Sequence, residues 1–176
     1  MIAGGCLALA SGTVFGQESA GAVLFPKDKP VMELDFPAGL KSAFRKDGTC
    51  LAVGPTSVMA LVAWEKVKNP TAAQSGLPEF AKSFLLRSLS FREVNSPSVE
   101  DAKLNRMFDE QEAVAAKVLT ATGKNSDGDE MAVSVTAFPW AHRYFVLFAV
   151  CNSSNKEQLA KDRDFVLNSV TDINDD

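Results

Sequence analysis

The chain has 176 residues, of which 46% are hydrophobic and 23% charged, and its formal net charge is −4. That length suits one domain able to bury about two-thirds of its unfolded surface, and the composition is that of an ordinary soluble globule. A mildly acidic chain without a Lys/Arg cluster lacks the electrostatic footprint for nucleic acid or an anionic membrane, so neither is expected as a partner.

Residues 2–16, IAGGCLALASGTVFG, carry no charge, and the first charged residue is Glu18. The run is shorter than the roughly 20 residues needed to span a bilayer and matches a signal-peptide apolar region of about 7–15 residues. Val14 and Gly16 stand three places and one place before a cut at Gln17. Gly4, Gly5 and Gly12 make the run a poor helix. Residues 1–16 are therefore expected to be a cleaved signal peptide, against the alternatives of an apolar element of the fold or a retained anchor. The consequence is a secreted or periplasmic protein with no stable membrane insertion after cleavage. Ala3-Gly4-Gly5-Cys6 looks like a lipobox, but Cys6 precedes the apolar Leu7-Ala8-Leu9 instead of following it. Cleavage leaves Cys50 and Cys151. In an oxidising compartment these either form one long-range disulfide or remain buried free thiols.

Residues 17–30 carry Gly21, Pro26, Pro30 and the charged Lys27-Asp28-Lys29, and read as a flexible leader. From Val31 the pattern changes. Met32, Leu34 and Phe36 share one face of a strand, stopped by Pro37-Ala38-Gly39. LKSAFRK runs into Asp47-Gly48, a strong hairpin signal, and TCLAVGP returns as its partner. SVMALVAWEKV (57–67) is apolar on both faces and reads as an interior strand holding Trp64 in the core. After the loop NPTAAQSG, a helix from Leu77 to Leu89 is expected. Ser75 caps it, Pro78 lies in its first turn, and Leu77, Phe80, Ala81, Phe84, Leu85 and Leu89 form one apolar stripe.

Residues 90–98 are polar and turn-rich, Arg106 to Glu110 reads as loosely extended, and Ala113 to Thr122 as a strand. Met131 to Phe138 forms another, the segment PWAH turns, and RYFVLFAVC (143–151) is apolar on both faces, which places it at the centre of the sheet. A last helix spans Asn155 to Val170, with a capping box in Ser154-Asn155-Lys156-Glu157 and an inner stripe of Leu159, Val166 and Val170. Residues 171–176 are a solvated acidic tail. The domain itself is thus 31–170.

Reaction chemistry is hard to find in this chain. Its single histidine, His142, has no nucleophile near it in sequence and reads as a surface turn residue. One His and two distant Cys do not make a zinc site. Asn125, Asp127 and Asp129 alternate around Gly128, but the glycine and glutamate positions of an EF-hand are not met, and a polar turn is the simpler reading. Asp109, Glu110 and Glu112 lie on a charged edge and read as solvated. No GxGxxG, GxxxxGK[ST] or GxSxG motif occurs. Trp140, with His142, Arg143 and Tyr144 beside it, either packs over the sheet edge or marks a contact surface for a partner.

The opening Leu34-Asp35-Phe36-Pro37-Ala38-Gly39-Leu40 and the closing RYFVLFAVCNSSNKEQLAKDRDFVLNSV (143–170) resemble the PsbP/Mog1-like family of small exported bacterial proteins. The resemblance spans Val31 to Val170. It implies a single α/β (α+β) domain, an antiparallel-rich sheet sandwiched by helices, with no shared catalytic set and so no functional residue to carry over. The expectation is a non-catalytic domain with no cofactor or metal that binds a protein partner or assists an assembly. The alternative is a carrier of a small apolar ligand, with its pocket between the sheet and helix 77–89.

Overall fold

The computed structural model of the chain describes residues 21–173 apart from 96, 107 and 108, and their side chains except those of 104–113. The expected signal peptide, 1–16, and the side chains of Asp109, Glu110 and Glu112 lie outside the described residues. In chain order the elements are β1 (Val23–Phe25), β2 (Met32–Leu34), β3 (Lys41–Phe44), β4 (Cys50–Val53), β5 (Ser57–Ala63), α1 (Pro70–Ser88), β6 (Phe91–Val94), β7 (Ser98–Arg106), β8 (Asp109–Asn125), β9 (Glu130–Trp140), β10 (Arg143–Asn152), α2 (Lys156–Asn168) and β11 (Thr171–Asp172).

The main sheet runs β3-β4-β5-β10-β9-β8-β6, with β7 also paired to β8, and a small sheet runs β1-β2-β11. The pairings in both are antiparallel. β10 is the middle strand, and period-2 alternation splits its side chains between two cores. Val146, Phe148 and Val150 face α1, while Phe145, Leu147, Ala149 and Cys151 face α2 and the small sheet. The fold is therefore the mixed α/β sandwich that the order of elements implied, with a continuously apolar strand where both faces are covered. On the α1 side, Phe84 stacks on Phe148 with ring centroids 4.3 Å apart, and Phe80 stacks on Trp64 at 4.7 Å. Such pairs add about 0.5–1.5 kcal/mol beyond simple burial.

Several local expectations are corrected. α1 begins two turns earlier than Leu77. The Asn69 side chain accepts from the Ala72 N–H at 2.8 Å and Pro70 takes the first turn, so Pro78 lies inside the helix. Asn-Pro is a sound start signal, but Ala72, Ala73 and Gln74 gave little apolar contrast to show it. The leader is not loose throughout: Val23 and Phe25 are buried in β1, paired to β2. Thr171 and Asp172 of the expected tail pair with β2 as β11. Residues 90–98 contain β6 and the start of β7, and β8 reaches well beyond Ala113–Thr122. The capping box before α2 is not formed. Asn155 makes no capping bond, and Asn152 instead accepts from the Ser154 N–H at 3.2 Å, capping a short 3-10 turn.

PWAH is not a turn from its first residue. Pro139 and Trp140 belong to β9, and the turn is Ala141-His142, with φ of 45° and 61°. Pro139 is tolerated because of register. Its partner Tyr144 sends its carbonyl to the Trp64 N–H at 2.8 Å, on the β5 side, so the proline nitrogen faces the other way. There the β8–β9 pairing has already ended, at Lys117↔Ala137, and no N–H is needed.

Candidate functional site

That split between β8 and β9 opens a groove of about 440 Å3. α1 starts at Pro70, so the α1-facing side of the sheet beyond that point has no helix over it. The groove lies between Pro70 and Ala73 of α1, Asp101 and Lys103 of β7, Ala115 and Lys117 of β8, Ala137 of β9 and Tyr144 of β10. Alternation puts Ala115 and Lys117 on the α1 side, opposite Lys103 and Asp101 across the hairpin. Space exists because the side chains there are small. Ala73, Ala115 and Ala137 occupy positions where, further along, Leu77 and Leu119 fill the same layer. A volume of this size falls in the range of small-molecule pockets, about 300–1,000 Å3.

Part of the groove wall is polar. The Lys117 ammonium donates to Gln74 Oε1 at 3.2 Å and is paired with Asp101. The two partners differ in exposure: the Lys117 side chain is 17% exposed and that of Asp101 80%. The cation is thus fixed at the groove wall while its counter-ion stands in water. Burial pushes the Tyr144 hydroxyl above the ordinary phenol range, only partly opposed by the field of Lys117. It stays protonated at neutral pH and can donate. The first turn of α1 contains no acidic side chain, so the positive end of its dipole is not neutralised there.

A second hollow, about 280 Å3, runs along α1 past Pro78, Ala81 and Leu85 to Val94, Asn95 and Pro97. It corresponds to the position expected for a ligand pocket against helix 77–89. Its volume falls below the ligand-pocket range, so the groove at the head of α1 is the better candidate.

The residues singled out from sequence are placed as follows. Trp140 is buried on the α2 side, and its indole N–H donates to the Val31 carbonyl at 3.2 Å. Tyr144 faces α1, on the opposite side of the sheet. His142 is exposed in the turn, and Arg143 donates to Glu65 at 2.6 Å while lying 5.6 Å over the Phe145 ring. Trp140, His142, Arg143 and Tyr144 are therefore neighbours in the chain that do not form one surface. Cys50 and Cys151 are both buried free thiols. Cys50 aligns with Leu61 and hence with Leu147, two strands over and four residues from Cys151. Strand spacing and rise then separate the two by roughly 16 Å, where a disulfide needs Cα atoms within about 7 Å. Of the two alternatives for these cysteines, the structure has the free thiols.

The Asn125–Asp129 loop satisfies itself. Asn125 Oδ1 accepts from the Asp127 and Asp129 N–H groups at 3.0 and 2.9 Å, and its amide donates to Asp129 at 3.1 Å. Gly128 supplies the positive φ of 89° that the turn requires. Among the described residues, no group of three or more His, Cys, Asp or Glu converges as a metal site. Sequence reasoning missed Asp101, Lys117 and the alanines of the groove. The one available signal was Ala113-Val114-Ala115-Ala116, a strand too small in side chains to fill a layer.

No family profile and no curated protein matches the chain. Solved structures do. Cyanobacterial PsbP from Synechocystis superposes with a TM-score of 0.57 and 15% identity, over 93% of this chain and 99% of that one. A protein from Bacteroides thetaiotaomicron gives 0.56 and 11%, over 82% of this chain. The chain spans 46% of that protein's length. LpqN, involved in cell envelope biogenesis of Mycobacterium tuberculosis, gives 0.49 and 16%, over 88% of this chain and 90% of that one. At 15% identity the likeness to cyanobacterial PsbP speaks to fold alone, and on that ground the chain has a PsbP-like fold, as its opening and closing segments implied.

Proposed function

We propose that this chain is a non-catalytic binding domain acting outside the cytoplasm, and that its site is the groove at the head of α1, which takes a small ligand with an apolar body. The observation that carries this reading is the volume of about 440 Å3 lined by alanines, with a lysine and a phenol also in its wall. An enzyme of the kinds considered would need a nucleophile–base pair or converging carboxylates, and the groove supplies a Lys117–Asp101 salt bridge and the Tyr144 phenol instead. The competing reading is a protein partner gripping the 140–144 segment. It has exposed His142 in its favour, but burial of Trp140 and the opposed direction of Tyr144 leave it without a shared patch.

Export is supported by the uncharged run 2–16, and no helix among the described residues is long and apolar enough to cross a membrane. The test of the binding reading is fluorescence titration with a neutral apolar probe, N-phenyl-1-naphthylamine. The wild-type chain brightens the probe, and Ala115→Leu, which projects into the groove, weakens this by about an order of magnitude. Equal brightening by both proteins sinks the assignment. Mass spectrometry of the exported protein tests the compartment: the mature chain begins at Gln17.

A further inference from the structure

We infer that the ligand of the groove is a small amphipathic carboxylic acid, its apolar body on the alanines and its carboxylate received by Lys117 and Tyr144 in exchange for Asp101. The inference rests on the groove reading above and names the chemistry of the occupant. Three features point to an anion in a chain whose own net charge is −4. Lys117 and Lys103 stand on the groove, the first turn of α1 offers no competing carboxylate, and the Tyr144 hydroxyl makes no hydrogen bond with the described residues, so its donor is available. The asymmetry of the Lys117–Asp101 pair supplies the mechanism. A cation that is mostly covered, held by a carboxylate 80% exposed, already sits in an anion-binding position. Asp101 loses little on release, because its hydration is nearly intact and exposed pairs contribute little. A ligand carboxylate brings the same charge together with an apolar body that Asp101 lacks.

Gln74 has a clear part in this. Its Oε1 accepts from Lys117 at 3.2 Å and holds the ammonium over the groove while the carboxylate partner is exchanged. The hydrophobic term sets affinity and the ammonium sets selectivity, since a charge-assisted hydrogen bond to a mostly covered lysine discriminates by about 10-fold or more against a neutral head group.

The experiment is displacement of N-phenyl-1-naphthylamine from the full chain by octanoate and by 1-octanol, which share one apolar body. In the wild type, octanoate displaces the probe at a concentration about 10-fold lower than octanol. Lys117→Met brings octanoate and octanol to the same displacing concentration, so that the acid-over-alcohol ratio is lost. Asp101→Asn, an exposed change that does not threaten folding, strengthens octanoate about 3-fold. Equal displacement by acid and alcohol in the wild type, or a preference that survives Lys117→Met, overturns the carboxylate while the groove reading stands. Displacement by neither compound from a probe-loaded groove also overturns it, and failure of the probe itself to bind removes both.

Discussion

Replacing Ala115 by Leu asks whether the groove is real free space, and the structure provides its own control in Ala60. Both alanines lie on the α1-facing side of the sheet. Ala115 is exposed in the groove wall, whereas Ala60 on β5 is wholly buried between Leu51 and Phe148 of the neighbouring strands. Leu adds three carbons, each contributing up to about 0.8 kcal/mol if fully covered, and loses about 0.5–1 kcal/mol of rotamer freedom. In the groove, the balance falls between zero and about 1.5 kcal/mol of added stability. At Ala60 the same carbons enter a filled layer, and overpacking costs about 1–3 kcal/mol. The two variants should therefore differ by about 1–4.5 kcal/mol, which at a urea m-value near 2 kcal/mol/M separates their midpoints by about 0.5–2 M. Urea unfolding followed by tryptophan fluorescence reads this directly. Equal destabilisation by the two substitutions would mean that the groove is closed in solution, and the binding proposal would fall with it.

Three further outcomes follow from particular contacts. The Thr136 hydroxyl is wholly buried with no hydrogen-bond partner among the described residues, so Thr136→Val, which keeps the shape, raises stability by about 1 kcal/mol in the same assay; a loss of that size would reveal a bonding partner. At Gly123 a Cβ would stand 2.3 Å from the Glu93 carbonyl and 2.9 Å from the Phe91 ring, so Gly123→Ala lowers stability by about 1–3 kcal/mol by prising β6 from β8; an unchanged midpoint contradicts the β6–β8 register. Burial raises Cys50 to about 12 and, with the nearby Asp162 charge adding to it, Cys151 to about 11, from 9.0, and Tyr144 is raised as well. Between pH 9 and 12 the folded chain then holds more protons than the unfolded one, so stability is at its full value below pH 9 and declines as pH rises, at up to about 1.4 kcal/mol per pH unit per group. Cys50→Ala should flatten part of that decline, and a slope identical to wild type would show that the Cys50 thiol ionises freely in the folded protein.

Much of the architecture was legible because burial imposes local periods. β10 reads as the central strand from its apolar residues on both faces, the hairpin of β3 and β4 from Asp47-Gly48, and α1 and α2 from their stripes. Three outcomes that local pattern misread or left open depended on a neighbour distant in the chain. Pro139 looked like a strand end, yet it sits in β9 because β8 has already turned away. Trp140 read either as packing over the sheet edge or as a contact surface, and the Val31 carbonyl, far away in sequence, accepts from its indole N–H in the packed position. Cys50 and Cys151 could not be told apart from a bridged pair until strand order and register set them two strands and four residues apart.

The amino-acid sequence by itself determined the central strands, the two helices, the sandwich and the absence of any familiar catalytic motif, since side-chain period and turn chemistry act over a few residues. The tertiary structure alone decided where the cavity lies. Lys117 on β8, Gln74 on α1, Asp101 on β7 and Tyr144 on β10 carry no shared spacing, and their meeting depends on where one helix starts and two strands part. Empty space is a property of how elements fail to cover one another, and no local pattern encodes it.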